Sequence, residues 1–491
     1  MLDRLEAGMT ILSPTGEALA VSETLAAEFE PGDSIVADAE GGLLRIPARE
    51  RQLVSDAVDA CESAFEAMSS VGDEQIAAFF RKFADALSDD QVWQEIRIVN
   101  ESDVADAKSR GRSTTRLAVS EAMRQDMLEG LRGWATMSTR RGRVLREIQH
   151  PGFRIQLVGD ALGLVGFVFE GRPNVLVDAC GVVRGGNTAI LRIGRDALAT
   201  ARSIMDLAVR PALIEAGMPE HAIVLVDSAA HAAGWSLFLD SRLSLAVARG
   251  SGPAVRLLGS LARRTGTPVS LHGTGGAWIV ASNNAAPEAL DDAVRRSLDR
   301  KVCNTLNTLC IQRSAADRLV PVALRALKKA ADARGQPFKL HVESGGMGYV
   351  PGELFENVVT IVRAEGPRSE RQAEPLTLDD IGTEWEWEES PEVTLVVVDS
   401  LDDAIGLFNR YSPRLVASLV SDDSEEHARF WTDLRSPFVG DGFTRWVDGQ
   451  FALGKPELGL SNWEQGRLFG RGAILTGDDV FTVRTRCVTS G

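Results

Sequence analysis

The spacing of apolar and polar positions changes along the chain. Residues 1–48 hold only short strand-like pieces: Thr10-Ile11-Leu12, Ser34-Ile35-Val36 and Gly42-Leu43-Leu44-Arg45-Ile46. Pro14-Thr15-Gly16, Pro31-Gly32-Asp33 and Glu40-Gly41-Gly42 punctuate them as turns. This predicts a small β-rich extension, read as a packing or assembly arm. After Pro47 the spacing becomes helical, with Val54, Val58, Cys61, Phe65 and Met68 on one face. Further amphipathic segments are predicted at 76–87 and 115–134. Arg140-Arg141-Gly142-Arg143 reads as a solvated basic turn.

Beyond residue 148 strand patterns take over. Residues 153–158 alternate. Continuous apolar runs at 161–169, 188–192, 222–226, 244–248 and 268–271 then interleave with helical patterns at 174–183, 196–216, 229–239 and 251–265. Buried strands alternating with helices predict a doubly wound parallel sheet, which binds ligands at the carboxyl ends of its strands. The alternation resumes with strands at 395–398 and 415–420 and helices at 399–408 and 424–434. Residues 384–389, Glu-Trp-Glu-Trp-Glu-Glu, read as a half-exposed edge strand. The tail at 480–488 alternates again and needs a partner, either 140–158 or another subunit.

Composition narrows the function classes. A chain of 491 residues with 44% hydrophobic and 25% charged positions has room for about two or three domains. A net charge of −16 argues against nucleic acid or an acidic membrane as partner. No apolar run approaches the roughly 18 residues of a membrane span. Met1-Leu2-Asp3-Arg4 leads into acidic sequence, so no signal peptide is expected. The 5 cysteines show no CxxC pairing and the 6 histidines are scattered, so no metal site is expected and a reducing cytoplasm suits the chain.

Candidate chemistry centres on Arg300-Lys301-Val302-Cys303-Asn304-Thr305. A lone cysteine is usually a small buried hydrophobe. A thiol becomes nucleophilic when nearby charge or a helix N-terminus stabilises its thiolate. Here Arg300 and Lys301 would supply charge, and helical amides over 304–309 a dipole. No GxGxxG motif is present. Glycines do follow strand ends at 185–187, 193–195 and 249–252. Arg249, Gly250 and Ser251, just before a helix, form the best phosphate cradle, and Gly194 stands in the preceding loop. Arg192 would either meet a ribose phosphate or lie on the surface.

Several separate stretches, in order, resemble the gamma-glutamyl phosphate reductase family within the aldehyde dehydrogenase superfamily. They are residues 100–107, Gly166–Val175 with its Arg172-Pro173-Asn174-Val175 turn, Gly186–Arg192, Val302–Thr305, Thr444–Phe451 with Leu453-Gly454 and Gly459-Leu460-Ser461, and Arg471-Gly472. The resemblance runs from about residue 60 to the end. It implies an aldehyde dehydrogenase-like α/β fold of two doubly wound parallel-sheet domains plus a small β oligomerisation flap. The implied division is 1–48 extension, 49–138 with 159–275 NAD(P)-binding, 276–469 catalytic, and 139–158 with 470–491 flap.

The resemblance also implies chemistry. Cys303 would attack an acyl phosphate, and NADPH, or NADH in its place, would reduce the thioester to an aldehyde. The Asn174 side chain and the Cys303 amide would bind the oxyanion. Cofactor contacts fall on Arg192, Gly194, Arg249, Gly250, Ser251 and either Glu384 or Glu388. Substrate contacts fall on Arg172, Asn304, Thr305, Arg445 and Asp448. A homo-oligomer, proline biosynthesis and an acyl-phosphate-forming kinase as partner complete the implication. Leu271-His272-Gly273-Thr274-Gly275-Gly276 lacks the glutamate that activates water in hydrolytic relatives, which favours reduction.

The chain departs from the pattern at Asp299-Arg300-Lys301-Val302, Asn307, Ala277-Trp278, Gly449–Ala452 and Lys455-Pro456-Glu457. These put the acyl group in question more than the thiol. An aldehyde dehydrogenase or acyl-thioester reductase, and a non-catalytic scaffold, remain the alternatives.

Overall fold

The apolar runs assemble into two parallel sheets, as their double-sided burial requires. The first contains, in spatial order, Val269–His272, Leu243–Arg249, Leu164–Phe169, Thr188–Ile193 and Ile223–Leu225. The second runs Ala373–Leu376, Lys339–Glu343, Glu392–Val398, Leu306–Gln312, Ala277–Ala281, Val416–Val420 and Phe438–Gly440. This is a computed structural model, and it describes every residue except 1–3, 14–15, 39–40, 113, 115, 364–365, 448–451, 463–471 and 490–491.

Strand alternation sorts side chains to opposite faces. Val165, Phe167 and Phe169 join the core beneath helices Asp73–Ser88, Glu121–Thr136 and Asn174–Cys180. Leu164 and Val168 face the other core, beneath Ala48–Met68, His231–Phe238 and Gly252–Arg264. The second sheet is covered likewise. Ile279, Leu309 and Val397 face helices Pro287–Arg296 and Ala316–Asp332, while Trp278, Cys310 and Val396 face Leu401–Tyr411 and Ser424–Asp433. The expected two-sheet α/β architecture is therefore present.

A third, antiparallel sheet joins Val144–His150, Phe153–Ala161 and Phe481–Thr489. Buried Asn187 ties this tail to the first sheet. Its amide donates to the carbonyls of Val480 (2.7 Å) and Val182 (2.9 Å), and its oxygen accepts from Leu162 and Gly163. The N-terminal residues form two hairpins, Thr10–Leu12 with Ala18–Ala20 and Ser34–Ala37 with Leu43–Ile46. Asp33 anchors the second hairpin, accepting from Arg45 at 2.6 Å and from the Ala48 amide at 2.9 Å.

Some elements differ from expectation. Residues 304–309 are not helical. Leu306–Gln312 is a buried central strand, paired on both sides, and pairing overrides the local pattern. Residues 384–389 form no strand. Their alternation arises because Trp385 and Trp387 both pack toward the second core. The helix expected at 115–134 starts at Glu121, and Thr115 lies outside the described residues. The helical run at 196–216 widens into a π turn at Met205–Val209 ahead of Pro211.

Candidate active site

The thiol sits on a turn between the carboxyl ends of the first sheet and the amino ends of the second, just before strand Leu306–Gln312, and the turn is braced by its own neighbours. The Val302 amide donates to Thr305 Oγ1 (2.9 Å), whose hydroxyl donates to the Arg300 carbonyl (2.6 Å). Thr444 Oγ1 donates to the Asn304 carbonyl (2.6 Å). The Asn304 amide reaches the Val447 carbonyl, and its oxygen accepts from Arg445, which also pairs with Asp299 at 2.7 Å. Asn304 and Thr305 are each 1% exposed. Asn304, Thr305 and Arg445, expected as substrate contacts, are buried and hydrogen-bonded within the protein, where they brace the loop. Asp448 lies outside the described residues, as does Arg471.

The Gly275-Gly276 step backs onto the cysteine. The Gly276 amide donates to the Cys303 carbonyl at 2.7 Å. Gly276 has φ +102°, a conformation that favours glycine. Gly275 is needed for space, because a Cβ there would stand 2.5 Å from Cys303 Cα.

The electrostatics of the thiol correct the expected source of charge. Lys301 is an ion-pair partner of Glu384 at 2.8 Å and is 6% exposed at its side chain. Burial pushes the half-buried Cys303 thiol up to about 11, and the Glu457 and Glu384 carboxylates add to this. Arg249 and Arg172 pull the other way. Arg249, expected in the phosphate cradle, stands close enough to the thiol for its charge to favour the thiolate. Its guanidinium pairs with Asp178 at 3.5 Å and reaches the Leu458 carbonyl at 3.4 Å, and its Nε is buried without a hydrogen bond. Arg172 pairs with Glu170 at 2.5 Å, and desolvation pulls it down to about 10. Burial, then Arg249, Arg172 and Arg116, hold His272 well below its usual range, so it stays neutral. Arg116 also donates to the Lys301 carbonyl at 2.6 Å.

These shifts set a pH profile. Alkylation of Cys303 by iodoacetamide in the ligand-free protein should rise about tenfold per pH unit from pH 7 toward about 11. Arg249→Gln removes a cation, raises the thiol further and slows alkylation at fixed pH. Peptide mass spectrometry separates this signal from exposed Cys487. Cys61, Cys180 and Cys310 are buried, and burial raises all three thiols.

A second cationic group lies at the ends of Leu164–Phe169 and Thr188–Ile193. Arg192 is 4% exposed, donates to the Ala229 carbonyl at 2.8 Å, and keeps a buried Nε without a partner. Desolvation, Arg192 and Arg112 lower the neighbouring His231. Gly194 and Gly171 approach closely there: a Cβ on Gly194 would lie 2.6 Å from the Gly171 nitrogen. Gly250 and Ser251 precede helix Gly252–Arg264, with Ser251 in extended conformation. Glu384 accepts from the Gly275 amide at 2.7 Å, beside the thiol. The Glu388 carbonyl accepts from Arg334 at 3.1 Å, and the same guanidinium lies over the Trp387 ring. Asn174 opens helix Asn174–Cys180 and makes no side-chain hydrogen bond among the described residues.

Sequence reasoning assigned no role to Arg116 or Asp178, which face Arg172, Arg249 and His272 around the thiol, or to Glu457, which faces the thiol itself. Asp178 did leave a signal, the lone acid in an apolar run, one helical turn after Asn174. Burial raises Asp178 to about 6, against the pull of Arg249 and Arg172. Arg116 left none, while Glu457 stands in the Lys455-Pro456-Glu457 stretch where the chain departs from the family pattern. Among the described residues no cluster of His, Cys, Asp and Glu is placed to hold a metal ion, and no helix is long and apolar enough to cross a membrane.

The sequence profile of the aldehyde dehydrogenase family matches residues 36–348, more than half of the chain. The chain belongs to the aldehyde dehydrogenase family. It is an oxidoreductase acting on aldehyde or acyl groups, and its cofactor is a nicotinamide nucleotide. Gamma-glutamyl phosphate reductase of Afipia carboxidovorans is 28% identical over 387 residues, covering 76% of this chain and 82% of that protein. The protein of that name from Brucella anthropi is 28% identical over 395 residues, covering 77% and 83%. The crystal structure of gamma-glutamyl phosphate reductase from Thermotoga maritima superposes with a TM-score of 0.75 at 22% identity, covering 89% of this chain and 98% of that one. Lactaldehyde dehydrogenase from Escherichia coli gives a TM-score of 0.64 at 16% identity, covering 94% and 98%. At these identities both structures support the fold of this family member.

Proposed function

We propose that this protein reduces an amino-acid-derived acyl phosphate, with gamma-glutamyl phosphate as the first candidate, to the aldehyde with NADPH. The observation that carries the reading is the convergence of Arg116, Arg172 and Arg249 on the Cys303–His272 corner. Three cations beside a nucleophile suit a phosphate leaving group, whereas a neutral aldehyde needs none. The 28% identical relatives carry the same activity in their names.

The residues present fit the cofactor. Arg192, with its unpartnered buried Nε, and His231 suit the 2′-phosphate. Gly194, Gly250 and Ser251 suit the phosphates, and Glu384 the nicotinamide ribose. When bound, the nucleotide supplies the hydride that reduces the thioester carbonyl. The protein does the rest. Cys303 releases its proton to solvent and attacks the acyl carbon as the thiolate. The carbon–oxygen bond to phosphate breaks, and the arginines hold the departing phosphate. Asn174 and the Cys303 amide donate to the oxyanion. After reduction the carbon–sulfur bond breaks, the aldehyde leaves, and the thiolate regains a proton. Neutral His272, at the end of Val269–His272, is a poor base for water, so the thioester survives until it is reduced.

The reading assigns residues 49–138 and 159–275 to the cofactor, 276–469 to the thiol, and 139–158 with 470–491 to a flap. The outer edge of Phe481–Thr489 suits pairing with a second copy, which makes the protein a homo-oligomer. A cytoplasmic role in proline biosynthesis, beside the kinase that makes the acyl phosphate, follows from the substrate.

The test runs the reaction in reverse with glutamate-5-semialdehyde, inorganic phosphate and NADP⁺. Cofactor reduction should require phosphate; reduction at the same rate without it sinks the proposal in favour of an ordinary dehydrogenase. Arg192→Ala should weaken NADPH binding by about 10- to 100-fold while leaving NADH nearly unchanged, as calorimetry would read.

A further inference from the structure

The loop carrying Glu384 has no regular secondary structure, yet it is fixed on every side. Glu384 is held by the Gly275 amide and by Lys301. The Trp385 amide donates to Asn307 Oδ1 (2.9 Å), while Asn307 Nδ2 donates to the Thr383 carbonyl (2.8 Å). Trp385 Nε1 donates to Thr394 Oγ1 (2.7 Å). The Trp385 ring lies flat on His341, with centroids 3.7 Å apart and planes 10° from parallel.

His341 is itself locked. Its Nε2 lies 2.6 Å from Glu392 Oε1, on a carboxylate with 0% side-chain exposure. Arg363 binds the same carboxylate at 2.7 Å and also pairs with Glu370 at 2.9 Å. Burial raises the Glu392 carboxyl, but the hydrogen bonds from His341 and Arg363 outweigh it and hold the group low. Burying this carboxylate between two charged or polar partners is costly unless every bond is made. Among side-chain contacts, the stacked Trp385 ring links it to the loop that carries Glu384.

We propose that His341 is a positioning residue for the nicotinamide-ribose subsite. Pinned by Glu392, its ring is the platform on which Trp385 rests, and Trp385 sets the adjacent Glu384 carboxylate beside Cys303. A planar peptide joins the two residues, so a displaced indole carries Glu384 with it. The inference rests on the reading that Glu384 meets the ribose.

Calorimetric titration of the full-length, ligand-free protein with NADPH tests it. Glu384→Gln tests the ribose contact. His341→Gln keeps a hydrogen-bonding group but loses the ring. Both should weaken NADPH binding, His341→Gln by about tenfold, with an equal rise in KM for NADPH. The KM for acyl phosphate should hold in both, while alkylation of Cys303 should quicken in Glu384→Gln, which removes a carboxylate that raises the thiol. Trp385→Phe, which keeps a ring for the stack, should retain most affinity, and Trp385→Ala should lose it. A purely structural role would lower Tm and leave affinity alone. Wild-type affinity in His341→Gln and Trp385→Ala beside a weakened Glu384→Gln overturns the positioning role alone. Wild-type affinity in Glu384→Gln overturns the ribose contact, and with it the positioning role. Should His341→Gln fail to fold, the Trp385 pair decides the same question.

Discussion

Replacing Cys303 with alanine should lower phosphate-dependent aldehyde oxidation by at least about 10⁴-fold, because the covalent route disappears with its nucleophile. The other thiols cannot substitute. Cys61, Cys180 and Cys310 are buried in cores, and Cys487 lies exposed on the outer strand of the third sheet. NADPH affinity should stay within about twofold, since the proposed nucleotide contacts lie on other residues. Tm should barely move, because the half-buried side chain loses only one small atom. Retained turnover in Cys303→Ala would remove the thioester mechanism altogether. Loss of turnover together with loss of NADPH binding would mean that the variant had disturbed the fold rather than the chemistry.

Gly275→Ala should cost about 100-fold in kcat without touching a reacting group. The added methyl would stand 2.5 Å from Cys303 Cα and 2.6 Å from its carbonyl oxygen. Both are backbone atoms, so no rotamer change relieves the clash. Either the 274–276 turn or the thiol turn must move, and a displacement of about 1 Å at a nucleophile is worth about that loss. Overpacking of this kind also lowers stability by about 1–3 kcal/mol. Gly273→Ala is the control. Its nearest new contact is Gly252 Cα at 3.2 Å, and its effect on kcat should be much smaller. Equal rates in Gly275→Ala and wild type, with Cys303 alkylation unchanged, would show that the two turns are not rigidly coupled.

The thiol was legible because its identity and its turn are contiguous. Val302, Cys303, Asn304 and Thr305 stand together, and Thr305 closes the turn onto Arg300 five residues back. The two-sheet fold was legible for a similar reason, since each continuous apolar run is one buried strand. The partners of the thiol were not. Lys301 and Glu384 are 83 residues apart, and Asn304 and Arg445 are 141 apart. A basic dipeptide beside a cysteine looks like activating charge until the structure shows where its ammonium is paired. The Glu-Trp-Glu-Trp run misled because two indoles entering one core give the same alternation as a strand.

By itself, the sequence determined what is local. It set the strand and helix pattern, the glycines that end strands, the cysteine turn, the missing carboxylate at residues 271–276, and through these the family. The tertiary structure alone decided which charges meet. Arg116, Arg172 and Arg249 come from separate segments and converge because the sheets end beside one another. Desolvation there raises the thiol and neutralises His272, while the Gly275 amide and Lys301 hold Glu384 beside them. Such interactions depend on distance and on exclusion of water, neither of which a linear order of residues contains.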